Sequence, residues 1–227
     1  GQQTETDDAE GKVIEAHPHR PDEAAIRAVL PGFTGEIEQI PPLYSAIKVG
    51  GQRAYDLARA QADFQLQPRR VTVHAITLEA MPDRDHAVFE VHCGKGTYMR
   101  SLARDLGRAT GTVAHIVELR RLTVGPFTEA DAISLDSLES MGHSPAALEQ
   151  VLPVETALDD IPALALSETE ANRLRCGQAV SMVARANRDR ISALSNGSIV
   201  FTTTGGKPVA LARYEAGDTH PVRVLNL

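Results

Sequence analysis

Branched and aromatic apolar residues gather into two short runs near the middle of the chain, "VTVHAITLEA" (71–80) and "AVFEVHC" (87–93). The turn-forming "MPDRDH" lies between them, so the pattern predicts a β-hairpin. After Gly96 the period changes. Met99, Leu102, Ala103, Leu106 and Ala109 follow helical spacing, with Thr97 as the expected N-cap and Gly107 and Gly111 as the closing residues. "HIVELRRLTV" (115–124) is again strand-like and stops at Gly125-Pro126. Upstream, "EIEQIPPLYSAIKVGGQRAYDLARAQ" holds an extended Pro-Pro entry, a turn at Gly50-Gly51, and a short helical pattern through Tyr55, Leu57 and Ala58.

From 128 to 162 the chain is acidic, with helical fragments and several prolines, and a domain boundary is expected near its end. Beyond it, Ser167 with Glu170 forms a capping-box pattern, and Gly177 stands where that helix should stop. Strand candidates follow at 178–184, 190–195, 198–204 and 207–214, and "HPVRVLNL" ends the chain. They are broken by Asn196-Gly197, a strong hairpin signal, and by Gly205-Gly206. Short strands with tight turns suggest a small β-barrel of 163–227 after a larger domain of 1–162.

Composition is that of an ordinary globular protein: 227 residues, 42% hydrophobic and 23% charged. There is no long apolar run to span a membrane, and the acidic opening "GQQTETDDAEGK" is unlike a targeting peptide. Two distant cysteines, Cys93 and Cys176, argue against a zinc site or disulfide framework and fit a reducing, cytoplasmic setting.

Net charge is −7, which speaks against a nucleic-acid partner until its distribution is considered. Residues 1–40 carry nine acids and three bases, and 128–178 carry ten and two. Between them, 93–127 carries six bases against two acids, and 179–227 carries six against three. A polyanion responds to the local field of a face, so the mean charge decides little.

The densest chemistry is "HCGKGTYMRSLARDLG" (92–107). It is not a Walker A loop, because Phe89 and Gly96 stand where that motif needs Gly and Ser or Thr. The dinucleotide pattern G-x-G-x-x-G fails at Met99, so no nucleotide cofactor is expected. What survives is a strand end, two glycines that let a ligand approach the backbone, and N–H groups of a helix start that can face an anion. Lys95 adds a point charge, and Tyr98 offers a stacking platform for a base. Arg100, Arg104 and Arg108 share one helix face, readable as a solvated stripe or as a basic contact surface. "TETDDAEG" does not fit a calcium loop, since Thr6 and His17 fall at the positions that need Asp and Glu. No metal site is expected, and His115 reads as structural or, from its place next to the basic strand, as functional.

"IPPLYSAIKVGGQRAYDLAR" (40–59), "HCGKGTYMRSLARDLG" (92–107) and "AHIVELRRLTVGPF" (114–127) together resemble, in order and spacing, the TruB family of tRNA pseudouridine synthases. The pattern P-P-x-Y-S-A-x-K-x-x-G-x-x-x-Y-x-x-A-R is met from Pro41 to Arg59, and "TETDDAEG" resembles T-D-T-x-D-x-x-G with Asp8 retained. The last 65 residues resemble more weakly a PUA-type RNA-binding domain. Gly94 and Met99 depart mildly from the family's usual Ser and Ile.

The resemblance implies cofactor-free isomerisation of uridine to pseudouridine in the T-arm loop of tRNA. It implies a mixed, mainly antiparallel sheet flanked by helices (α+β, the pseudouridine synthase fold), followed by a small PUA-like barrel. The target base leaves its stack, which costs a few kcal/mol. Tyr98 would then stack on it and is a candidate to take the C5 proton. Arg100 would pair with the catalytic carboxylate, and Leu119 would pack the base pocket. Lys95, Lys48, Arg120 and Arg121 would contact phosphates or hold the pocket, and Asp8 and Tyr44 from the matched motifs complete the substrate-binding set.

The family's G-H-x-G-T-L-D-P stretch, which carries its catalytic aspartate, is absent from these 227 residues. The chain is therefore expected to be an N-terminally truncated synthase, inactive alone and monomeric in full-length form. A non-catalytic RNA-binding or tRNA-folding module is the alternative.

Overall fold

In the computed structural model, which describes residues 1–183, 187–192 and 194–226, the chain divides into Gly1–Arg120 and Arg121–Leu227. The first unit opens with a ribbon of β1 (Gln2–Thr4) and β2 (Val13–Ala16), then α1 (Glu23–Val29), β3 (Gly35–Gln39), and a small hairpin of β4 (Lys48–Val49) and β5 (Gln52–Arg53). It continues with α2 (Ala54–Arg59), β6 (Arg69–Ala80), β7 (Val88–Cys93) and α3 (Met99–Ala109).

The predicted hairpin forms: β6 and β7 pair antiparallel, and β3 joins the other edge of β6. Asp83 holds the connecting turn, its carboxylate accepting from the N–H groups of Asp85 at 2.7 Å and His86 at 2.9 Å. An irregularity between Val73 and Ala75 inserts His74, so Val71 and Val73 before it and Ile76 and Leu78 after it all point inward. Without that bulge, the two-residue period would turn one pair outward. Ile26 and Leu30 from α1 and its following turn, with Leu102 and Leu106 of α3, cover this face. Each such fully buried side chain contributes about 1.5–3 kcal/mol.

Helix α3 appears where its period placed it, but its ends differ from expectation. Tyr98, not Thr97, occupies the N-cap position, and the Thr97 hydroxyl instead donates back to the Gly94 carbonyl at 3.0 Å. Gly107 lies inside the helix, and the chain turns out at Gly111, whose φ of +73° suits glycine. The strand expected at 115–124 is reduced to a single bridge, Asp8 with Ile116, and two residues at Thr123–Val124. An apolar run becomes a strand only where a neighbour receives its backbone groups, and residues 117–122 have no such strand neighbour.

The second unit begins with β8 (Thr123–Val124) and β9 (Phe127–Thr128), paired around Gly125-Pro126, then α4 (Leu135–Met141) and α5 (Pro145–Glu149). There follow β10 (Ala163–Ala165), α6 (Glu168–Arg175), β11 (Val180–Ser181), α7 (Arg188–Ile191), β12 (Ile199–Thr204), β13 (Lys207–Glu215) and β14 (Asp218–Val224). The capping box is present: the Ser167 hydroxyl accepts from Glu170 N–H, and the Glu170 carboxylate accepts from Ser167 N–H.

The five strands form one sheet in the order β10-β12-β13-β14-β11 around Leu164, Leu174, Met182, Val200 and Val209. This sheet is a half-barrel with two edges rather than the closed barrel expected. Gly205-Gly206, both at positive φ, make the two-residue turn between β12 and β13.

Asn196-Gly197 links no hairpin, because residues 190 and 191 of the expected strand 190–195 lie in α7. There Arg190 donates to the Glu170 carboxylate at 3.2 Å and to the Ala165 carbonyl, which ties the short helix to α6 and β10. The expected strand 178–184 is present at Val180–Ser181. Residues 184 and 193 of these segments, and the terminal Leu227, lie outside the described residues. Among the described residues, no helix is long and apolar enough to cross a membrane.

Candidate functional site

Tyr98 is fixed through its backbone before its side chain does anything. Its N–H donates to the Gln39 side-chain oxygen at 2.8 Å, and its carbonyl accepts from the Gln39 amide nitrogen at 3.1 Å. The same carbonyl accepts the first helical bond from Leu102 at 3.0 Å. Gln39, the last residue of β3, is 2% exposed. It thus does for the N-cap what a neighbouring strand would do, holding both polar groups of one residue. The Tyr98 ring is left half-buried.

Helix α3 then presents its polar side to two segments that arrive from far away in sequence. Ser101 donates to the Ile40 carbonyl at 2.8 Å. Arg100 donates to the Thr6 carbonyl and the Asp8 carboxylate, each at 3.1 Å, and to the Tyr44 carbonyl at 2.8 Å. Arg104, one turn on, donates to the Asp7 carboxylate at 3.3 Å and to the Ile40 carbonyl at 2.8 Å. Its own neighbour Asp105 accepts from the Nε–H at 2.9 Å. The basic stripe is therefore mostly structural cement; of the three arginines only Arg108 stays well exposed, at 58%.

The loop that meets these arginines is internally braced. The Thr4 hydroxyl donates to the Asp8 carbonyl and the Thr6 hydroxyl to the Asp8 Oδ1, each at 2.6 Å, while Glu10 N–H donates to the same Oδ1 at 3.1 Å. Asp8 thus offers one oxygen to its own loop and the other to Arg100. Asp7 has a left-handed backbone, φ +59°. Burial pushes its carboxyl above the usual carboxylate range, with the Arg104 charge opposing but not cancelling that effect. The Ile116 N–H donates to the Asp7 carbonyl at 3.1 Å, which seats the 112–116 stretch beside the loop. A His115 ring nitrogen lies 2.7 Å from the Gln2 carbonyl oxygen, a structural anchor.

Arg100, Asp8 and the Tyr44 carbonyl are thus brought into one network, with Tyr98 two residues before Arg100 at the same helix start. Lys95 projects from the Gly94–Gly96 turn and Lys48 from β4, both exposed, and Leu119 is 62% exposed. Arg120 is exposed at the end of the first unit, and Arg121 begins the second. Asp7, Gln39 and Ser101 are the members that sequence reasoning missed, and Arg104 was read only as part of a basic stripe. Adjacent aspartates facing arginines four apart on a helix were the available signal for two of them.

A cavity of about 260 Å³ opens onto Asp7, Arg104 and Arg108 with Ile14, Ile40 and Leu43. Tyr98 and Leu119 do not line it. Among the described residues, no group of three His, Cys, Asp or Glu could hold a metal ion. Chemically, the site is an arginine held by three acceptors and an aromatic residue held by its backbone, both at one helix start.

The fold is shared with chains of solved ribonucleoprotein and multiprotein assemblies. A Cbf5–Nop10–Gar1 complex contains a chain with a TM-score of 0.66 and 26% identity, covering 93% of this chain and 63% of that one. A similar match, with a TM-score of 0.67 and 21% identity, is to an H/ACA ribonucleoprotein bound to a substrate RNA containing 2′-deoxyuridine, and it shows the fold alone. Residues 1–99 match the TruB family pseudouridylate synthase N-terminal domain, and 100–159 match the tRNA pseudouridylate synthase B C-terminal domain.

Two proteins called tRNA pseudouridine synthase B are similar over the whole chain. That of Rhodospirillum rubrum is 50% identical, with 74% of its length covered. That of Bradyrhizobium diazoefficiens is 51% identical, with 66% covered. The chain belongs to the TruB family of pseudouridine synthases.

Proposed function

We propose that this chain forms the base-binding part of a synthase that converts uridine to pseudouridine in the T-arm loop of tRNA. The reaction breaks the bond from ribose C1′ to uracil N1 and makes one from C1′ to C5, and the C5 proton is exchanged for one on N1. It is an isomerisation and needs no oxidant or cofactor. The base is flipped from its stack onto Tyr98, with Leu119 against the pocket, and Tyr98 is the candidate to receive the C5 proton. Arg100 orients the catalytic aspartate, and Lys95, Lys48, Arg120 and Arg121 meet phosphates.

The observation that carries this reading is the rigid start of α3. There Gln39 holds Tyr98 by both backbone groups, and three acceptors hold Arg100. A flipped base needs a platform that does not move when it docks. The five-stranded half-barrel supports a PUA-type RNA-binding role for 163–227.

The test is Tyr98→Ala in the full-length gene product, assayed by hydrogen release from C5 of uridine in a tRNA transcript. Turnover should fall far more than tRNA affinity; a loss of affinity alone would remove the stacking role. Affinity itself should weaken steeply with salt. The 1–227 polypeptide should bind RNA without forming pseudouridine, and detectable product from it would overturn the assignment of the aspartate to G-H-x-G-T-L-D-P.

A further inference from the structure

Arg100 and Arg104 stand one turn apart on α3, about 6 Å along its axis. Each bridges the same two segments. Arg100 joins Asp8 to the Tyr44 carbonyl, and Arg104 joins Asp7 to the Ile40 carbonyl. The result is a ladder of two rungs between the Thr4–Asp8 loop, the Ile40–Tyr44 segment and the helix. We propose that Asp7 and Arg104, the inner rung, are positioning residues for the isomerisation: they set the place of Arg100 and its carboxylate partner. This rests on the synthase reading above.

Three observations separate this role from RNA contact and from ordinary stabilisation. First, Arg104 is spent. Its side chain is 9% exposed, and its nitrogens go to Asp7, Asp105 and the Ile40 carbonyl, so it has no face left for a phosphate. Second, the rung is a poor choice for stability alone. Replacing a buried ion pair by apolar residues of the same volume is often neutral or better.

Third, the left-handed turn at Asp7 has a geometric consequence. In an extended chain consecutive side chains point to opposite faces. At Asp7 the turn brings two consecutive carboxylates onto one helix, Asp7 to Arg104 and Asp8 to Arg100. Two rungs a turn apart fix the angle of the loop to the helix as well as its place on it.

The test uses the full-length protein carrying Arg104→Met, which keeps volume and removes the charge, Asp7→Asn, which tolerates the left-handed backbone, and the pair together. Single-turnover pseudouridine formation is measured beside tRNA affinity and melting temperature. Each single change should slow the rate about 10- to 100-fold, the range expected when a catalytic group is displaced by up to an ångström. The double variant should be no slower than the slower single one, since both remove the same rung. Affinity should stay within about twofold, because neither residue meets RNA. Arg104→Lys, which keeps one charge contact but not the fork, should fall between wild type and Arg104→Met.

Wild-type rates in Arg104→Met and Asp7→Asn would overturn the proposal, as would rate losses that follow affinity or that multiply in the double variant. Should Arg104→Met fail to fold, Asp7→Asn and Arg104→Lys carry the same test. A wild-type protein that forms no pseudouridine refutes the synthase reading, and the positioning role falls with it.

Discussion

Gly107→Ala should destabilise this protein, although helix propensity alone predicts the reverse. Gly107 is buried within α3, and an exposed glycine at such a place would gain about 1 kcal/mol on becoming alanine. Here the new methyl would stand 2.7 Å from the Ala114 nitrogen and 2.9 Å from both the Ala114 Cβ and the Val113 carbonyl carbon. Ordinary contact begins near 3.4 Å, so the backbone at 113–114 must retreat by about 0.7 Å.

That backbone is tethered on both sides. Thr112 N–H donates to the Gly107 carbonyl at 2.9 Å, and Ile116 N–H to the Asp7 carbonyl at 3.1 Å. Overpacking of this kind costs about 1–3 kcal/mol, so after the propensity gain a net loss of about 1 kcal/mol is expected. Urea unfolding followed by circular dichroism should show the midpoint fall by about 0.5 M at unchanged slope. A midpoint that rises would refute the steric argument. It would mean that the 112–116 stretch yields freely, and with it the seat of the Asp7–Asp8 loop.

Two further outcomes follow from the same geometry. The Thr202 hydroxyl, fully buried at an irregularity of β12, donates to the Ala210 carbonyl at 2.8 Å and accepts from its N–H at 3.0 Å. Thr202→Val keeps the shape but orphans both groups and should cost about 1–3 kcal/mol in urea unfolding, with Thr202→Ser recovering most of it. Because burial raises the Asp7 carboxyl above its unfolded value, the folded state binds that proton more tightly. This group's contribution therefore favours folding in acid and declines as pH rises from the usual carboxylate range through the raised value. The stability of Asp7→Asn relative to wild type should accordingly improve as pH rises through that window; a difference that worsens or stays flat would contradict it.

How much could be foreseen depended on how far each cause reaches along the chain. The β6–β7 hairpin, the body of α3, the Ser167–Glu170 capping box and the Gly205-Gly206 turn were all legible. Their causes, side-chain period and turn chemistry, act within a few residues. The apolar run at 115–124 and the segment at 190–195 misled, because local preference does not supply a partner strand. In the first case only one bridge was on offer, and in the second Arg190 found Glu170 and stayed helical. The motifs marked Tyr98, Arg100, Asp8 and Tyr44 as chemistry-bearing, but not what fixes them.

Tertiary structure decided that, over long separations: Gln39 to Tyr98 across 59 positions, Asp8 to Arg100 across 92 and Asp7 to Arg104 across 97. Sequence alone determined which residues could do the chemistry and which short elements would carry them. Only folding could decide that two of the chain's charges, Asp7 and Arg104, would be buried against each other. The stability of a buried arginine depends on acceptors that no local pattern brings near it.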